Sequence, residues 1–319
     1  MRRSLTLIAT CLLALLGAMA GVAAAAPAKP AKPAALAKPA KPAGAHARLN
    51  LVGSLIVHGS EVTIPGRAVR VQGVVRPYVA GQWVAVQALD GTRSFKRDRL
   101  RIKRACAGRC GEFSQTLHGP APGIVRVHVT HARTAAMRGF SIQRAYQVLG
   151  ASAGPGATGR LVQLVQQRLT ALHVYVPQSG VFDTQTGLAL DAYHRLLGWG
   201  EGDLSLDART LTALLDGRGA FAVRYPHDGR HAEGDLTHQL LALIDGADVQ
   251  AIYPISSGKP STPTILGRFA VYSRVPGYLP DGMYYSDFFI RGYAVHGYDP
   301  APDYPASHGC MRLPIIDAT

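Results

Sequence analysis

Hydrophobic and polar residues alternate along the region 49–149. In the stretch RSFKRDRLRIKR, Leu100 and Ile102 fall on one face, whereas Arg99 and Arg101 fall on the other. The stretches VRVQGVVRPYVAGQWVAVQAL and GIVRVHVTHA repeat the same two-residue period and are punctuated by Gly and Pro. A period of two is that of a strand with one buried face, so the region predicts an all-β antiparallel sandwich.

The period becomes helical in the region 150–219, after the Gly-rich stretch GASAGPGATG. Leu161, Leu164 and Val165 fall on one face of a first helix. Asp183 is a suitable N-cap for a second helix, and LSLDARTLTALL predicts a short third one. The region therefore predicts a small three-helix bundle.

The first residues, MRRSLTLIATCLLALLGAMAGVAAAAP, combine a basic start, an apolar run and an Ala-rich end. This pattern predicts a signal peptide over residues 1–25, cleaved after Ala25, and hence an exported protein of the cell wall or periplasmic space. An uncleaved membrane anchor is the alternative. The Ala/Lys/Pro-rich residues 26–48 predict an extended linker that tethers the protein, or a plain solubilising spacer.

The chain has 319 residues, of which 47% are hydrophobic, which is ample for two or three domains with cores. Its net charge of +14 is uneven, because residues 49–149 hold 15 basic and 4 acidic side chains. Export and the lack of interleaved aromatic residues argue against nucleic acid. We expect anionic wall polymers as partners of this basic β-domain, with a merely solvated charged face as the alternative.

Cys106 and Cys110 lie close together in the stretch CAGRC. Neither a second Cys pair nor suitably spaced His residues follow, so a zinc site is disfavoured. An oxidising compartment favours a local disulfide between them instead. That pairing leaves Cys310 as a lone cysteine in an exported protein, which indicates that its thiol has a chemical role.

The stretch SHGCMRL contains what a cysteine nucleophile needs. His296 and His308 are candidate bases, and the amides of Gly309 and Cys310 are candidate donors to an oxyanion. Arg312 would lie on the same side of a strand as Cys310, where it would bind a carboxylate or the thiolate. Pairing with an imidazolium predicts a pKa for Cys310 below the usual 8.5 or so. A metal site and an inert buried thiol are the alternatives.

The residues YAVHGYDPAPDYPASHGCMRL resemble the L,D-transpeptidase catalytic-domain family, whose pattern is a His, a spacer, Ser/Thr-His-Gly-Cys and an Arg two residues later. The stretch PISSGKPSTPTILGRFAVYSR resembles the strand-loop-strand that precedes the active-site lid of that family. The resemblance implies a mainly β catalytic domain over residues 220–319. Family members usually continue beyond the point where this chain ends, so we expect a C-terminally truncated domain.

The resemblance also implies a role for each matching residue. Cys310 would be the nucleophile and His296 the general base, with Ser307 and His308 supporting the site and Gly309 in the oxyanion hole. The implied substrate-binding residues are Arg312, Tyr284 and Gly297.

The implied reaction is acyl transfer on peptidoglycan stem peptides, without metal or organic cofactor. Cys310 would form a thioester with release of D-alanine, and a second stem would resolve it into a 3-3 cross-link. Carbapenem-type inhibitors are expected to acylate Cys310. The alternatives are an L,D-carboxypeptidase or cross-link hydrolase that uses the same cysteine, and a catalytically inactive wall-binding protein.

Two weaker resemblances concern the preceding regions. The stretch GVFDTQTGLALDAYHR resembles the peptidoglycan-binding three-helix module, although Asp183 and His194 depart from its pattern. This implies wall binding, with a purely structural role as the alternative. The stretch GRAVRVQGVVRPYVAGQWVAV resembles bacterial immunoglobulin-like modules.

Overall fold

The fold is described from a computed structural model that covers residues 41–119, 121–200 and 204–319. The predicted signal peptide and most of the predicted linker 26–48 lie outside the described residues. Residues Lys41–Thr319 belong to one compact unit. None of the helices in the described ranges is long and apolar enough to cross a membrane.

Ten strands form two sheets in the first part of this unit. Their bounds are β1 (His46–Val52), β2 (Leu55–Val57), β3 (Ser60–Thr63), β4 (Ala68–Arg76), β5 (Trp83–Asp90), β6 (Arg93–Arg101), β7 (Lys103–Ala105), β8 (Cys110–His118), β9 (Gly123–His131) and β10 (Phe140–Val148). One sheet has the order β1-β4-β8-β7 and the other β2-β3-β10-β9-β5-β6. Neighbouring strands run antiparallel, except that β10 and β3 run parallel.

The inward residues of both sheets share one apolar core. It contains Val71 and Phe113 from the first sheet and Val86 and Val127 from the second. The predicted all-β region is therefore a two-layer arrangement, as the alternating pattern requires. Its immunoglobulin-like character stays a prediction. Pairing with β4 starts at His46, so the end of the predicted linker belongs to the sheet instead.

The alternation predicted for β6 is confirmed. Leu100 is half-buried and Ile102 is buried, whereas Arg99 and Arg101 are exposed. These arginines stand on the outer face because the inner face completes the core of the two sheets.

Three helices follow, with bounds α1 (Arg160–Ala171), α2 (Thr184–Leu196) and α3 (Ala208–Leu215). Asp183 caps α2 as predicted, and its carboxylate accepts a hydrogen bond from the Thr186 amide at 2.8 Å. Asp207 caps α3 in the same way. Each carboxylate satisfies an amide that the first turn of the helix leaves without a partner.

Seven strands form two further sheets in the last part of the chain. Their bounds are β11 (Arg230–Asp235), β12 (Leu240–Asp245), β13 (Asp248–Pro254), β14 (Ser273–Tyr278), β15 (Tyr284–Ile290), β16 (Tyr293–Tyr298) and β17 (Met311–Pro314). The sheet orders are β11-β12-β13 and β14-β15-β16-β17. β16 and β17 run parallel, and a 3-10 turn, Ile315–Asp317, follows β17.

The helices and the sheet β11-β12-β13 share one apolar core. Leu190 of α2 and Leu211 of α3 belong to the same buried cluster as Leu240 of β12 and Ile252 of β13. The predicted boundary at residue 219 falls in the loop between α3 and β11, yet the side chains on its two sides are buried against each other. The limits of the predicted domains stay predictions.

Candidate active site

A cleft of about 530 Å³ opens beside β16 and the residues that precede β17. Its lining residues are Asp281, Met283, Gly292, Tyr293, His296, Tyr298, Ser307, His308, Cys310 and Arg312. Parallel pairing places His296 directly beside Arg312 in the register of the two strands. Of the sequence-predicted residues, Cys310, His296, Ser307, His308 and Arg312 therefore meet in one cleft.

Cys310 is a half-buried thiol in this cleft, and it is the free cysteine of the described residues. The amide of Ala294 donates a hydrogen bond to its Sγ at 3.4 Å. The Sγ also lies 3.8 Å from the carbonyl oxygen of Gly292. Both contacts come from the start of β16 and the turn before it, so this strand fixes the direction of the thiol.

His296 is buried on β16, with 2% of its surface exposed. Its Nδ1 lies 2.8 Å from the carbonyl oxygen of Gly297. A carbonyl only accepts hydrogen bonds, so Nδ1 carries the proton and Nε2 of the neutral ring keeps its lone pair. Burial lowers the pKa of His296, and the hydrogen bond to Gly297 opposes that shift only in part. The side chain is therefore a neutral base at pH 7.

Burial also raises the pKa of the Cys310 thiol. The amide of Ala294 and the charge of Arg312 act in the opposite direction, but burial outweighs them. The predicted thiolate–imidazolium pair, with a lowered pKa of Cys310, is thus wrong for this structure. Burial disfavours the charged form of each group, so it favours a neutral thiol beside a neutral imidazole.

Ser307 braces the backbone around Cys310. Its Oγ donates a hydrogen bond to the Cys310 carbonyl oxygen at 2.6 Å and accepts one from the Gly309 amide at 3.0 Å. The expectation that the Gly309 amide is free for an oxyanion is therefore wrong, because Ser307 already occupies it. The Cys310 amide is the remaining donor of that predicted pair.

Gly309 is required by its surroundings. Its φ is +119°, and a Cβ there would lie 1.8 Å from Cε1 of Tyr293. Only glycine allows the backbone to pass this close to an aromatic ring in that conformation.

Arg312 and His308 stand at different depths. The Arg312 guanidinium lies 4.0 Å from the centroid of the Tyr298 ring, and its Nε is buried without a hydrogen-bond partner in the described residues. His308 is exposed, with Nε2 at 3.3 Å from Nζ of Lys259. Of the two predicted bases, only His296 is buried in the cleft.

Tyr284 and Gly297 lie outside the lining of the cleft. They are paired across β15 and β16. A Cβ on Gly297 would lie 2.7 Å from Ala318 and 3.2 Å from Tyr284, so the glycine permits close packing behind the site. Their predicted contact with substrate stays a prediction.

Five lining residues were missed by sequence reasoning. They are Asp281, Met283, Gly292, Tyr293 and Tyr298. The turn-forming stretch LPDG between two Tyr-rich strands is the signal that would have pointed to the first two, because loops at strand ends often carry site residues.

The described residues contain one group of three potential metal ligands, Cys106, Cys110 and Glu112. Cys106 and Cys110 form the predicted disulfide, so neither sulfur is available as a thiolate ligand. This group closes a turn beside β8 and is not part of the cleft lining.

The Gly309→Ala substitution tests the close approach of Tyr293. We expect it to lower the free energy of unfolding by about 1–3 kcal/mol, because the new Cβ is strained in φ and overlaps the ring. Chemical denaturation measures this loss. Gly292→Ala is the matched control, since nothing lies within 4 Å of its added Cβ. Equal effects of the two substitutions would contradict the packing argument.

The pH dependence of Cys310 alkylation tests the neutral state of the thiol. Alkylation follows the thiolate, and a raised pKa reduces the thiolate fraction at pH 7. We expect the rate of alkylation by iodoacetamide to keep rising with pH above about 8.5, the usual pKa of a free thiol. Mass spectrometry of reactions quenched at successive times measures this rate. An alkylation rate that already reaches its plateau at neutral pH would instead support the thiolate–imidazolium pair. Cys310→Ser supplies the blank.

Comparison with known proteins agrees with the resemblance in the motif. A family profile described as the L,D-transpeptidase catalytic domain (YkuD) matches residues 229–319. The solved L,D-transpeptidase of Xylanimonas cellulosilytica is 30% identical, with 51% of this chain and 87% of that chain covered and a TM-score of 0.45. No match was found among proteins of curated function.

Two further solved structures are more distant. An Enterococcus faecium L,D-transpeptidase is 18% identical, covering 54% of this chain and 84% of that one, with a TM-score of 0.25. An L,D-transpeptidase solved in complex with imipenem is 14% identical, covering 82% and 89%, with a TM-score of 0.20. Superpositions with such low TM-scores support no conclusion. The family assignment therefore rests on the profile match and on the 30% sequence identity. Through residues 229–319 the chain belongs to the YkuD L,D-transpeptidase catalytic-domain family, which comprises cysteine-dependent L,D-transpeptidases.

Proposed function

We propose that this protein is a peptidoglycan L,D-transpeptidase in which Cys310 is the nucleophile and His296 the general base. Membership of the family supports a peptidoglycan-modifying enzyme. The observation that carries the proposal is the hydrogen bond from Nδ1 of His296 to the Gly297 carbonyl. It leaves the basic Nε2 of a neutral, buried imidazole in the same cleft as the thiol.

The first step is attack of the Cys310 sulfur on the carbonyl carbon of the third residue of a donor stem peptide. The thiol proton passes to Nε2 of His296, and the carbonyl oxygen becomes an oxyanion. As the amide bond to the terminal D-alanine breaks, its nitrogen takes that proton from His296 and leaves as a free amine. The product is a thioester on Cys310, with the imidazole neutral again.

Groups around the sulfur would stabilise this step. The Cys310 amide is the candidate donor to the oxyanion, because Ser307 occupies the Gly309 amide. Arg312 is the candidate binder of a substrate carboxylate, since its buried Nε has no partner among the described residues. Ser307 then acts by holding the backbone, and His308 is an exposed group at the rim.

In the second step an amine of a neighbouring stem attacks the thioester. Its proton returns to the cysteine sulfur through His296, and the product is a 3-3 cross-link. Water in place of the amine would give an L,D-carboxypeptidase or a cross-link hydrolase with the same acyl-enzyme. Carbapenems would acylate the same sulfur, in keeping with a relative solved in complex with imipenem.

We propose that the enzyme works outside the cytoplasm, where its substrate lies. The disulfide between Cys106 and Cys110 supports an oxidising compartment. The signal-peptide pattern of residues 1–25 supports export. Wall binding by the three helices remains part of the same proposal.

A basic outer face on the two-sheet region is the proposed contact with anionic wall polymers. Arg97, Arg99 and Arg101 stand on exposed positions of β6, two residues apart and so about 6.6 Å from one another along the strand. The Arg99 guanidinium lies 5.2 Å from the centroid of the exposed Trp83 ring on the neighbouring strand. A row of cations at this spacing suits a repeating polyanion.

Intact-mass spectrometry tests the acyl-enzyme. We expect a carbapenem adduct on the wild type and none on Cys310→Ala, with loss of D-alanine from a disaccharide-tetrapeptide. His296→Ala should slow adduct formation by about 10²- to 10⁴-fold, because the thiol then lacks its base. Ser307→Ala should slow it less. An adduct on Cys310→Ala, or an intact tetrapeptide with folded wild type, would contradict the proposal.

Charge removal tests the basic outer face. Replacing Arg97, Arg99 and Arg101 together by Gln should weaken binding to polyphosphate at least tenfold at low salt, an effect that salt then screens. Microscale thermophoresis measures the affinity. The control replaces Arg48, Arg70 and Arg76, which are exposed on the other sheet, so the net charge changes equally. Equal losses of affinity in both variants would show that binding depends on net charge and not on this face.

A further inference from the structure

Cys310 is held by a short segment, 255–257, that follows β13. The amide and carbonyl of Ser256 pair with the carbonyl and amide of Arg312, each at 2.9 Å. The carbonyl of Ser257 accepts the amides of Ala306 and Ser307, also at 2.9 Å each. This segment therefore fixes the backbone on both sides of Cys310, three residues before it and two residues after it.

Gln239 in turn holds this segment with its side chain. Its Oε1 accepts the Ser257 amide at 2.8 Å, and its Nε2 donates to the Ser257 Oγ at 2.8 Å. Nε2 also donates to the Leu236 carbonyl. The side chain is buried, and its backbone has φ +53°, which is uncommon for a residue other than glycine. Such a conformation persists where the surroundings over-determine it, and it is concentrated near functional sites.

Arg195 connects the same segment to helix α2. Its Nη1 donates to the carbonyl of Gln239 at 3.1 Å and to that of Ile255 at 3.0 Å. Its Nη2 lies 2.6 Å from the Asp191 carboxylate one turn earlier, and both side chains are almost fully buried. The planar guanidinium reaches all three acceptors at once, which a single ammonium nitrogen does not.

We propose that Arg195 and Gln239 are positioning residues for Cys310. They act through the segment 255–257, so helix α2 is part of the catalytic unit and not only a neighbouring module. The inference rests on the proposed role of Cys310 as nucleophile, and it adds residues that touch neither substrate nor sulfur. The consequence for the reaction is a fixed direction of the Cys310 amide, on which oxyanion stabilisation depends.

Gln239→Met is the first test, because it keeps the side-chain volume and removes all three side-chain hydrogen bonds. Gln166→Met is the matched control. Gln166 is a fully buried glutamine of α1 whose side chain hydrogen-bonds Ser179, Val181, Thr186 and Gly180. None of these partners lines the cleft.

The first readout is amide hydrogen exchange, which needs no activity. In Gln239→Met we expect the peptide spanning 305–311 to exchange about tenfold faster or more than in the wild type. The reason is that Ser257, whose carbonyl accepts the Ser307 amide, is then no longer anchored by the Gln239 side chain. In Gln166→Met we expect faster exchange around 180–186 and wild-type exchange at 305–311. Wild-type protection of 305–311 in Gln239→Met would overturn the proposal.

The second readout compares two reactions of the same sulfur. Gln239→Met should slow carbapenem acylation about tenfold or more, whereas iodoacetamide alkylation, which needs no oxyanion donor, should stay within about threefold. Losses of equal size in both reactions would overturn the positioning role. If the folded wild type is alkylated but never acylated, the proposed nucleophile fails, while the exchange data still decide on positioning.

Arg195→Lys tests how much helix α2 contributes to the positioning of Cys310. The lysine keeps a positive charge beside Asp191 but does not fork to two carbonyls. We expect the same pattern as in Gln239→Met at smaller size, with exchange of 305–311 about threefold faster or more. Wild-type exchange and acylation in a folded Arg195→Lys variant would remove Arg195 from the proposal.

Discussion

The paired backbone hydrogen bonds between Ser256 and Arg312 are the constraint on which the site depends. They join the segment after β13 to β17, and so connect the sheet under the helices to the sheet that carries the cleft. Ser256 is completely buried, so water does not compete for these bonds. Without this connection, the strand that follows Cys310 would have backbone pairing with β16 alone.

Burial governs the chemistry of the two central groups. The same cleft that raises the pKa of Cys310 lowers that of His296, because a poorly solvated site disfavours both charges. In the proposed reaction the pair starts as a neutral thiol and a neutral base, and charge develops as the thiol attacks. The proposal then requires the site to stabilise charge where it develops, which is the condition for selective transition-state binding.

Charge is separated along the chain in a way that fits the proposed contact with anionic wall polymers. Residues 49–149 hold 15 basic and 4 acidic side chains, whereas residues 220–319 hold 7 basic and 10 acidic side chains. An anionic polymer would therefore be attracted to the sheet face and not into the cleft. Arg312 and the acidic Asp281 both line the cleft.

The sequence by itself determined the local structure and the family to which residues 229–319 belong. Alternation at Leu100 and Ile102, the Asp183 cap and the motif around Cys310 were readable because they depend on neighbours within a few positions. The CAGRC disulfide was readable for the same reason. Tertiary structure alone decided which amides are free, since Ser307 captures the Gly309 amide. It alone decided the charge state of Cys310 and His296, and the approach of Arg195 and Gln239 to segment 255–257. These features depend on burial and on contacts between distant parts of the chain, and periodicity along a sequence carries no information about either.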